Sequence, residues 1–542
     1  MSEDKERALQ TFRALNRSKL VECGLKRWEI GEIASRIGQL YFGQYTRTSE
    51  CRFLVEAYVF YEAILSRRYF QGSEPNAKDL GVRSKELRFY ARFLLVSVIL
   101  NRTEMVNHLV ERFGALVDDC KSTFRETNFK EWKQVVQEIN RFTKVDKGFN
   151  LRPMRYCATF DTHRASLPYV ARFHAKRVLK FQDALLTSYH RNEVKFAELT
   201  LDMYRMIQCL EWEPSGTFYQ KHTFKPKENG DTIDHSGASG IIDMNLTADM
   251  TDPNIPPNPR KATLYRPSVT HVIAVMATIC EELPPDSVVL VYLSASGNAG
   301  LNNVSQVENS GGSSKSSRHR VPSQTSHGQN SGLSETQNNG KRERGYYDNY
   351  LWFGPKGNSG TNNLYPGDLI PFTRKPLFLI IDSDNSHAFK AANVLEVGIG
   401  RKLDAVLHGA ERGETAALFL SPLRPIFKNP SNVNSNNGSQ FTFFLTCPLS
   451  AFCQMIGVFP NEADTDVYNE AENIIDNAFT EFIFCRSVIS FFCPPEESEQ
   501  YLPICLPHLP TSVAPSSEAV RSAVVQLAVH FDVADSFHFT ET

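Results

Sequence analysis

The sequence predicts an α + α/β architecture: an N-terminal helical bundle or solenoid-like region, followed by a Rossmann-like layered α/β domain with a disordered insertion. Three observations predict it. Apolar residues recur at helical spacing through the first 145 residues. Across 263–505, short unbroken apolar runs bounded by turn residues alternate with helical patterns, as buried parallel strands do. The stretch 296–345 holds 11 Ser, 8 Gly, 7 Asn and 4 Gln, 30 of 50 residues, and no aromatic. Such a stretch buries too little apolar surface to offset the entropy of ordering it.

Within 1–145, apolar stripes lie on Ile30, Ile33, Ala34, Ile37 and Leu40, then on Ala57, Tyr61 and Ile64. Further stripes run through Leu87–Val98, Val106–Val117 and Trp132–Ile139. Gly38 and Tyr41, with Ala57 and Tyr61, echo the small–aromatic packing of tetratricopeptide repeats, but no 34-residue period follows. Residues 146–213 are mixed, with a strand expected over Met154–Phe160 and a long helix carrying Phe196, Leu199, Met203, Met206 and Leu210. Residues 214–262, rich in Pro, Gly, Asp and Asn, predict a linker. In the layered domain, strands are expected at Val288–Leu293, Leu377–Ile381, Ala416–Leu420 and Phe441–Leu445. Helices are expected near Ser268–Glu281, Asn385–Val397 and Glu462–Ser487, with a tail and short helix over 506–542.

Composition narrows the function classes. Fifty-nine Lys and Arg against 61 Asp and Glu give a formal charge of −2, unlike a strongly basic nucleic-acid binder. Residues 1–150 carry 26 cations and 20 anions, the remainder 33 and 41. The basic N-terminal part either faces acidic partner segments or phosphates, or is simply solvated helix surface. The charged start Met1–Glu6 carries no apolar signal region, and no run reaches the ~18 apolar residues of a membrane span. Eleven cysteines without any CxxC predict reduced, mostly buried thiols in the nucleus or cytoplasm.

Motifs for catalysis are incomplete. No phosphate loop, no GxGxxG after a strand, no GxSxG elbow and no HExxH occurs. The best catalytic-looking feature is the apolar run 377–381 ending in Asp382-Ser-Asp384-Asn-Ser386. Carboxylates at the carboxyl edge of a sheet suit a hard cation, and Asp382 is where a dehalogenase-type phosphotransferase places its nucleophile. That pattern wants Thr or Val at 386, and the downstream Lys and acidic pair are not found. The alternative is a solvated loop in which Asp382 or Asp384 caps the next helix. No catalytic residue, cofactor or metal is therefore assigned.

Several long runs resemble the SCAI family, the suppressor of cancer cell invasion proteins. They are 24–41, 87–93, 194–206, 287–294 and, most specific, Pro366-Gly-Asp-Leu-Ile-Pro-Phe-Thr-Arg-Lys-Pro-Leu-Phe-Leu-Ile-Ile-Asp-Ser-Asp-Asn-Ser386. The resemblance implies a non-enzymatic corepressor or adaptor in nucleus and cytoplasm. Its implied partners are transcriptional coactivators or other nuclear regulatory proteins, downstream of Rho-type signalling and restraining cell migration. It also implies a second possibility, a DNA-repair or chromatin scaffold touching DNA. A cation-dependent phosphotransferase using Asp382 is a third, but animal members tend to carry Ser at the position of Asp384. The expected partner-binding residues are Lys26, Arg27, Trp28, Arg88 and Arg92. The alternative for these is interhelical packing.

Overall fold

The computed structural model describes residues 24–70, 79–125, 129–145, 180–190, 193–211, 258–297, 350–355, 362–389, 417–423, 438–458, 465–479, 481–493, 501–506 and 508–539. Helices α1 (Arg27–Thr48), α2 (Cys51–Ser66), α3 (Leu80–Ile99), α4 (Thr103–Thr123) and α5 (Lys130–Val145) follow in series, each packed on the next. Gly38 sets the approach of the first pair: a Cβ there would lie 2.9 Å from the Tyr61 ring, so only hydrogen lets that ring rest on α1. Asp79 caps α3 by accepting the Gly81 N–H at 2.8 Å.

The strands, in chain order, are β1 (Lys180–Tyr189), β2 (Lys195–Phe196), β3 (Leu199–Thr200), β4 (Arg260–Tyr265), β5 (Ser287–Ala295), β6 (Leu351–Trp352), β7 (Asn363–Leu364), β8 (Leu377–Asp382), β9 (Ala417–Leu420) and β10 (Ile504–Leu506). The longer helices that follow are α6 (Leu201–Leu210), α7 (Val269–Glu282), α8 (Gln440–Thr446), α9 (Pro448–Ile456), α10 (Thr465–Ala478), α11 (Glu481–Phe492) and α12 (Glu518–His530), with a single helical turn at Pro366–Leu369. Six strands form one mixed sheet in the order β10-β9-β8-β5-β1-β4, parallel throughout except for the antiparallel edge pair β9/β10. The hairpins β2/β3 and β6/β7 stand outside it.

Both faces of the sheet are buried, which is why its strands read as apolar runs without alternation. On one face, Ala184, Leu186, Leu290, Tyr292, Ile380 and Phe419 join a single core with the N-terminal helices, α6 and the C-terminal helices. On the other, Leu185, Val291, Leu293, Leu379 and Ile381 pack against Val272 and Met276 of α7 and against Leu351, Phe353 and Leu364 of the β6/β7 hairpin.

The α + α/β class is observed, and several expected elements are corrected. Phe441–Leu445, expected as a strand, is helical: Ser439 accepts the Thr442 N–H at 3.3 Å and starts α8. An apolar run buried all round has no period to separate strand from helix. The expected long helix through Phe196 and Leu199 begins only at Leu201, because Thr200 caps it and the two earlier residues form the β2/β3 hairpin. Two sheet strands start before residue 263: β1 lies wholly ahead of it, and β4 begins inside the expected linker and runs across its end. Polar residues hide them. Asp183 sits 3% exposed inside β1, opposite Arg260 of β4, whose Nε lies 2.8 Å from its carboxylate.

The expected helix 462–487 is two, α10 and α11. The expected helix after residue 385 is a short 3-10 turn, Ser386–Phe389, as far as the described residues extend. The expected tail over 506–542 is built into the main core: Val520, Val524, Leu527 and Ala528 of α12 are all buried there. The strand expected over Met154–Phe160, most of the linker 214–262 and most of the insertion 296–345 lie outside the described residues. No disulfide joins the described cysteines, which are all buried but the half-buried Cys51. Among the described residues, no helix is long and apolar enough to cross a membrane.

Candidate functional site

The two carboxylates of the Asp-x-Asp run diverge. Asp382 closes β8 at 5% exposure and turns into the helical face of the sheet. There the Thr442 hydroxyl donates to it at 2.5 Å and the Tyr292 hydroxyl at 3.2 Å. Burial first, then the charges of Asp382 and Asp202, holds the Tyr292 hydroxyl well above its ordinary pKa, so it stays a donor. Asp384 is exposed and accepts the Gly297 N–H from the chain leaving β5. Ser383 and Ser386 bind Ser421 instead, stitching the end of β8 to the end of β9. Neither Asp382 nor Asp384 caps the short turn that follows; its entry is held by Ser383 Oγ, accepting the Asn385 N–H at 3.1 Å. Among the described residues, no group of three or more His, Cys, Asp or Glu is placed to hold a metal ion.

A second carboxylate reaches this network from α6. Asp202 accepts the Ser439 N–H at 3.0 Å and lies 3.6 Å from the Arg205 guanidinium, which stacks over the Phe443 ring at 4.3 Å. Burial pushes the Asp202 carboxyl up to about 6; Arg205 opposes the rise and Asp382 adds to it. Gly438 makes room: its φ is +78°, and a Cβ would lie 2.6 Å from Asp202 Oδ1. Sequence reading missed Asp202, Arg205, Tyr292 and Thr442. The available signal was the i, i+3 charge pair inside an otherwise apolar, Met-containing helix.

The sheet has one point where strand order reverses. After β1 the chain lays β4 on one side, then returns to place β5, β8 and β9 on the other. In open parallel sheets, ligands settle at the carboxyl ends of the strands at such a point. Here that crevice is filled by the chain itself. The Ser296 N–H donates to Tyr189 O at 2.9 Å, and the Trp352 N–H to Ser296 O at 2.9 Å. The Trp352 ring meets Tyr189 edge-on at 5.3 Å. Gly354, at φ +93°, lies so close to the Tyr189 ring that a Cβ would stand 2.4 Å from it. Asn362 pins the β6/β7 hairpin by donating to Phe353 O and Pro267 O while accepting the Val269 N–H at the start of α7.

A buried polar joint ties the N-terminal helices to the sheet. Lys261 of β4 and Glu211, just after α6, are each 3% exposed at the side chain and 3.4 Å apart. The Tyr45 hydroxyl of α1 donates to Glu211 at 2.7 Å, and the Lys261 N–H donates to Ser49 Oγ at 2.8 Å. Cys51 Sγ lies 3.5 Å from Glu211, and burial followed by that carboxylate pushes the thiol well above its ordinary pKa. A thiol held protonated in this way is no nucleophile.

The residues expected to bind partners share the α1/α3 seam. Lys85 Nζ sits 4.0 Å over the Trp28 ring, and Arg92 donates to Ser35 Oγ at 3.4 Å. Exposed Arg88 lies between these contacts, while Lys26 and Arg27 stand exposed at the start of α1, Arg27 donating to Arg67 O at 2.7 Å. Lys85, which covers the indole, was not among the residues singled out from the sequence.

With this geometry in place, relationships to known proteins can be read. The family model described as Protein SCAI matches residues 8–490. The chain is 30% identical over 548 residues to Protein SCAI of Homo sapiens, covering 95% of this chain and 80% of that protein. It is also 30% identical over 557 residues to Protein SCAI of Mus musculus, with the same coverage of 95% and 80%. Against the Protein SCAI homolog of Dictyostelium discoideum it is 25% identical over 701 residues, covering 97% of this chain and 84% of that protein. No solved structure matches. The match spans both the seam and the filled crevice, and the chain belongs to the SCAI family.

Proposed function

We propose that this protein is a non-enzymatic adaptor of transcriptional repression. It docks coactivators or other nuclear regulatory proteins, works downstream of Rho-type signalling and divides between nucleus and cytoplasm. The observation that carries the non-enzymatic part is the filled crevice. Its sheet is a Rossmann-like, doubly wound layer, with strand order 2-1-3-4-5 and an added antiparallel edge, yet Tyr189, Trp352 and Gly354 occupy the place where such layers receive a ligand. Asp382, the one residue placed for phosphoryl chemistry by its sequence context, is buried, and the Thr442 and Tyr292 hydroxyls both donate to its Oδ2. Family membership supports the same reading. The α1/α3 seam, with Lys26, Arg27, Trp28, Arg88 and Arg92, is the partner surface.

Proximity labelling from the tagged full chain tests this. Labelled neighbours that include transcription regulators, with the tag in the nucleus, are expected. A tag that stays out of the nucleus, or neighbours without any such regulator, would refute the reading.

A further inference from the structure

The α1/α3 seam has a charge arrangement that specifies its partner's chemistry. The Trp28–Lys85 and Ser35–Arg92 contacts are spaced seven residues apart on both helices. The two helices therefore run side by side in the same direction for ~10 Å, at 1.5 Å per residue. Lys85, Arg88 and Arg92 lie at i, i+3 and i+7, one stripe along α3, and Lys26 and Arg27 enter beside its upper end. Among the described residues, none of these five cations lies within ion-pair distance of a carboxylate, whereas Arg36 of α1 and Arg83 of α3 each hold one. Among the described residues, the seam is thus a short cationic ladder with an indole at its start and no carboxylate paired to it.

We infer that this ladder docks a carboxylate-rich segment of a partner protein; this rests on the adaptor reading and names the chemistry of its partner. The length favours a peptide. About 10 Å accommodates two turns of a helical segment or three extended residues, enough for carboxylates to face each cation in turn. A nucleic acid would demand a longer basic track than these ~10 Å supply. Exposed pairs are individually weak, so recognition depends on several acting together and is strongly screened by salt.

The test is fluorescence anisotropy of the full chain against a fluorescein-labelled peptide of alternating Glu and Leu. Its Gln-for-Glu counterpart and a single-stranded oligonucleotide of equal length serve as comparisons. The Glu peptide is expected to bind and the Gln peptide not. Arg27→Glu with Arg88→Glu, both exposed positions, should weaken binding about tenfold or more, with only a small shift of thermal unfolding from the lost bond to Arg67 O. Arg27→Gln with Arg88→Gln should give a smaller loss in the same direction, and serves if the reversal variant folds poorly. No binding of the Glu peptide, unchanged binding by the variants, or tighter binding of the oligonucleotide that is lost on the same reversal would each overturn the inference. If proximity-labelled regulators persist with the reversal variant, the site assignment fails and the adaptor reading stands; if wild-type protein labels none, both fail.

Discussion

The joint between the N-terminal helices and the sheet gives the sharpest stability prediction. Lys261→Met keeps the length and apolar stem of the side chain but removes its charge. Among the described residues, Glu211 then loses the only cation within ion-pair distance of it, at a place where both side chains are 3% exposed. The Tyr45 hydroxyl still donates at 2.7 Å, since burial and Glu211 hold its pKa well above the ordinary value. A neutral donor compensates a desolvated carboxylate only in part. Breaking one side of a buried pair costs about 3–5 kcal/mol, because the remaining charge is left without its partner. Urea unfolding of the full chain, followed by circular dichroism, reads that loss. The second arm is Lys261→Met with Glu211→Leu. Replacing a whole buried pair by apolar groups is near neutral, so the double variant should recover most of the loss, to within about 1–2 kcal/mol of wild type. A single variant costing under about 1 kcal/mol would mean that water reaches the pair. A double variant no more stable than the single would mean that Lys261 acts by packing rather than by pairing. Either outcome would refute the account of this joint.

Three further expectations concern the rim of the sheet. Burial raises the Asp202 carboxyl from 3.8 to about 6, so between those values the folded chain holds a proton that the unfolded chain releases. Stability from this group is therefore fully present at low pH and is lost as pH rises towards 6. Asp202→Asn cannot ionise, so its stability relative to wild type should rise by about 2–3 kcal/mol from about pH 4 to about pH 7.5 in paired urea melts; a constant difference would contradict the assignment. Thr442→Val removes the 2.5 Å donor to Asp382 and should cost about 1.5–3 kcal/mol by the same measurement, whereas a neutral result would mean water replaces the hydroxyl. Gly354→Ala must displace the Tyr189 ring and strain a left-handed backbone at φ +93°. It should cost about 2–4 kcal/mol and speed hydrogen exchange in the β6/β7 hairpin, and unchanged exchange there would show that the hairpin is not held by this contact.

The parts of this fold that were legible in the sequence are those with a periodic face. Helices α1, α2, α4 and α5 each cover one side of a neighbour and keep exposed residues on the other, so their stripes survive in the residue order; α3, enclosed along its second half, still shows one through Leu87, Tyr90 and Leu94. Strands β5, β8 and β9 were legible because burial on both faces leaves an unbroken apolar run. The same rule failed at α8, where a capped helix buried on every side has an identical signature, and at β1, whose Asp183 reads as surface until Arg260 is found opposite it. The polar groups that tie the layers together were the least legible of all. Asp202 with Arg205 is a local pair, but its relation to Asp382 and Thr442 spans some 180 to 240 residues of chain, and Glu211 with Lys261 closes across the expected linker. No spacing rule reaches that far, since such pairs exist only once the layers have met. Asp382 shows the consequence for function. Its sequence context, an apolar strand ending in an acid, is shared by sites that hold cations and by sites that fasten a sheet to a helix. What separates the two is whether the acid's oxygens are left open or taken by neighbouring hydroxyls. Here Thr442 and Tyr292 both donate to Oδ2 of a carboxylate that is 5% exposed, so the residue that looked most like chemistry is one of the bolts that fixes α8 to the sheet.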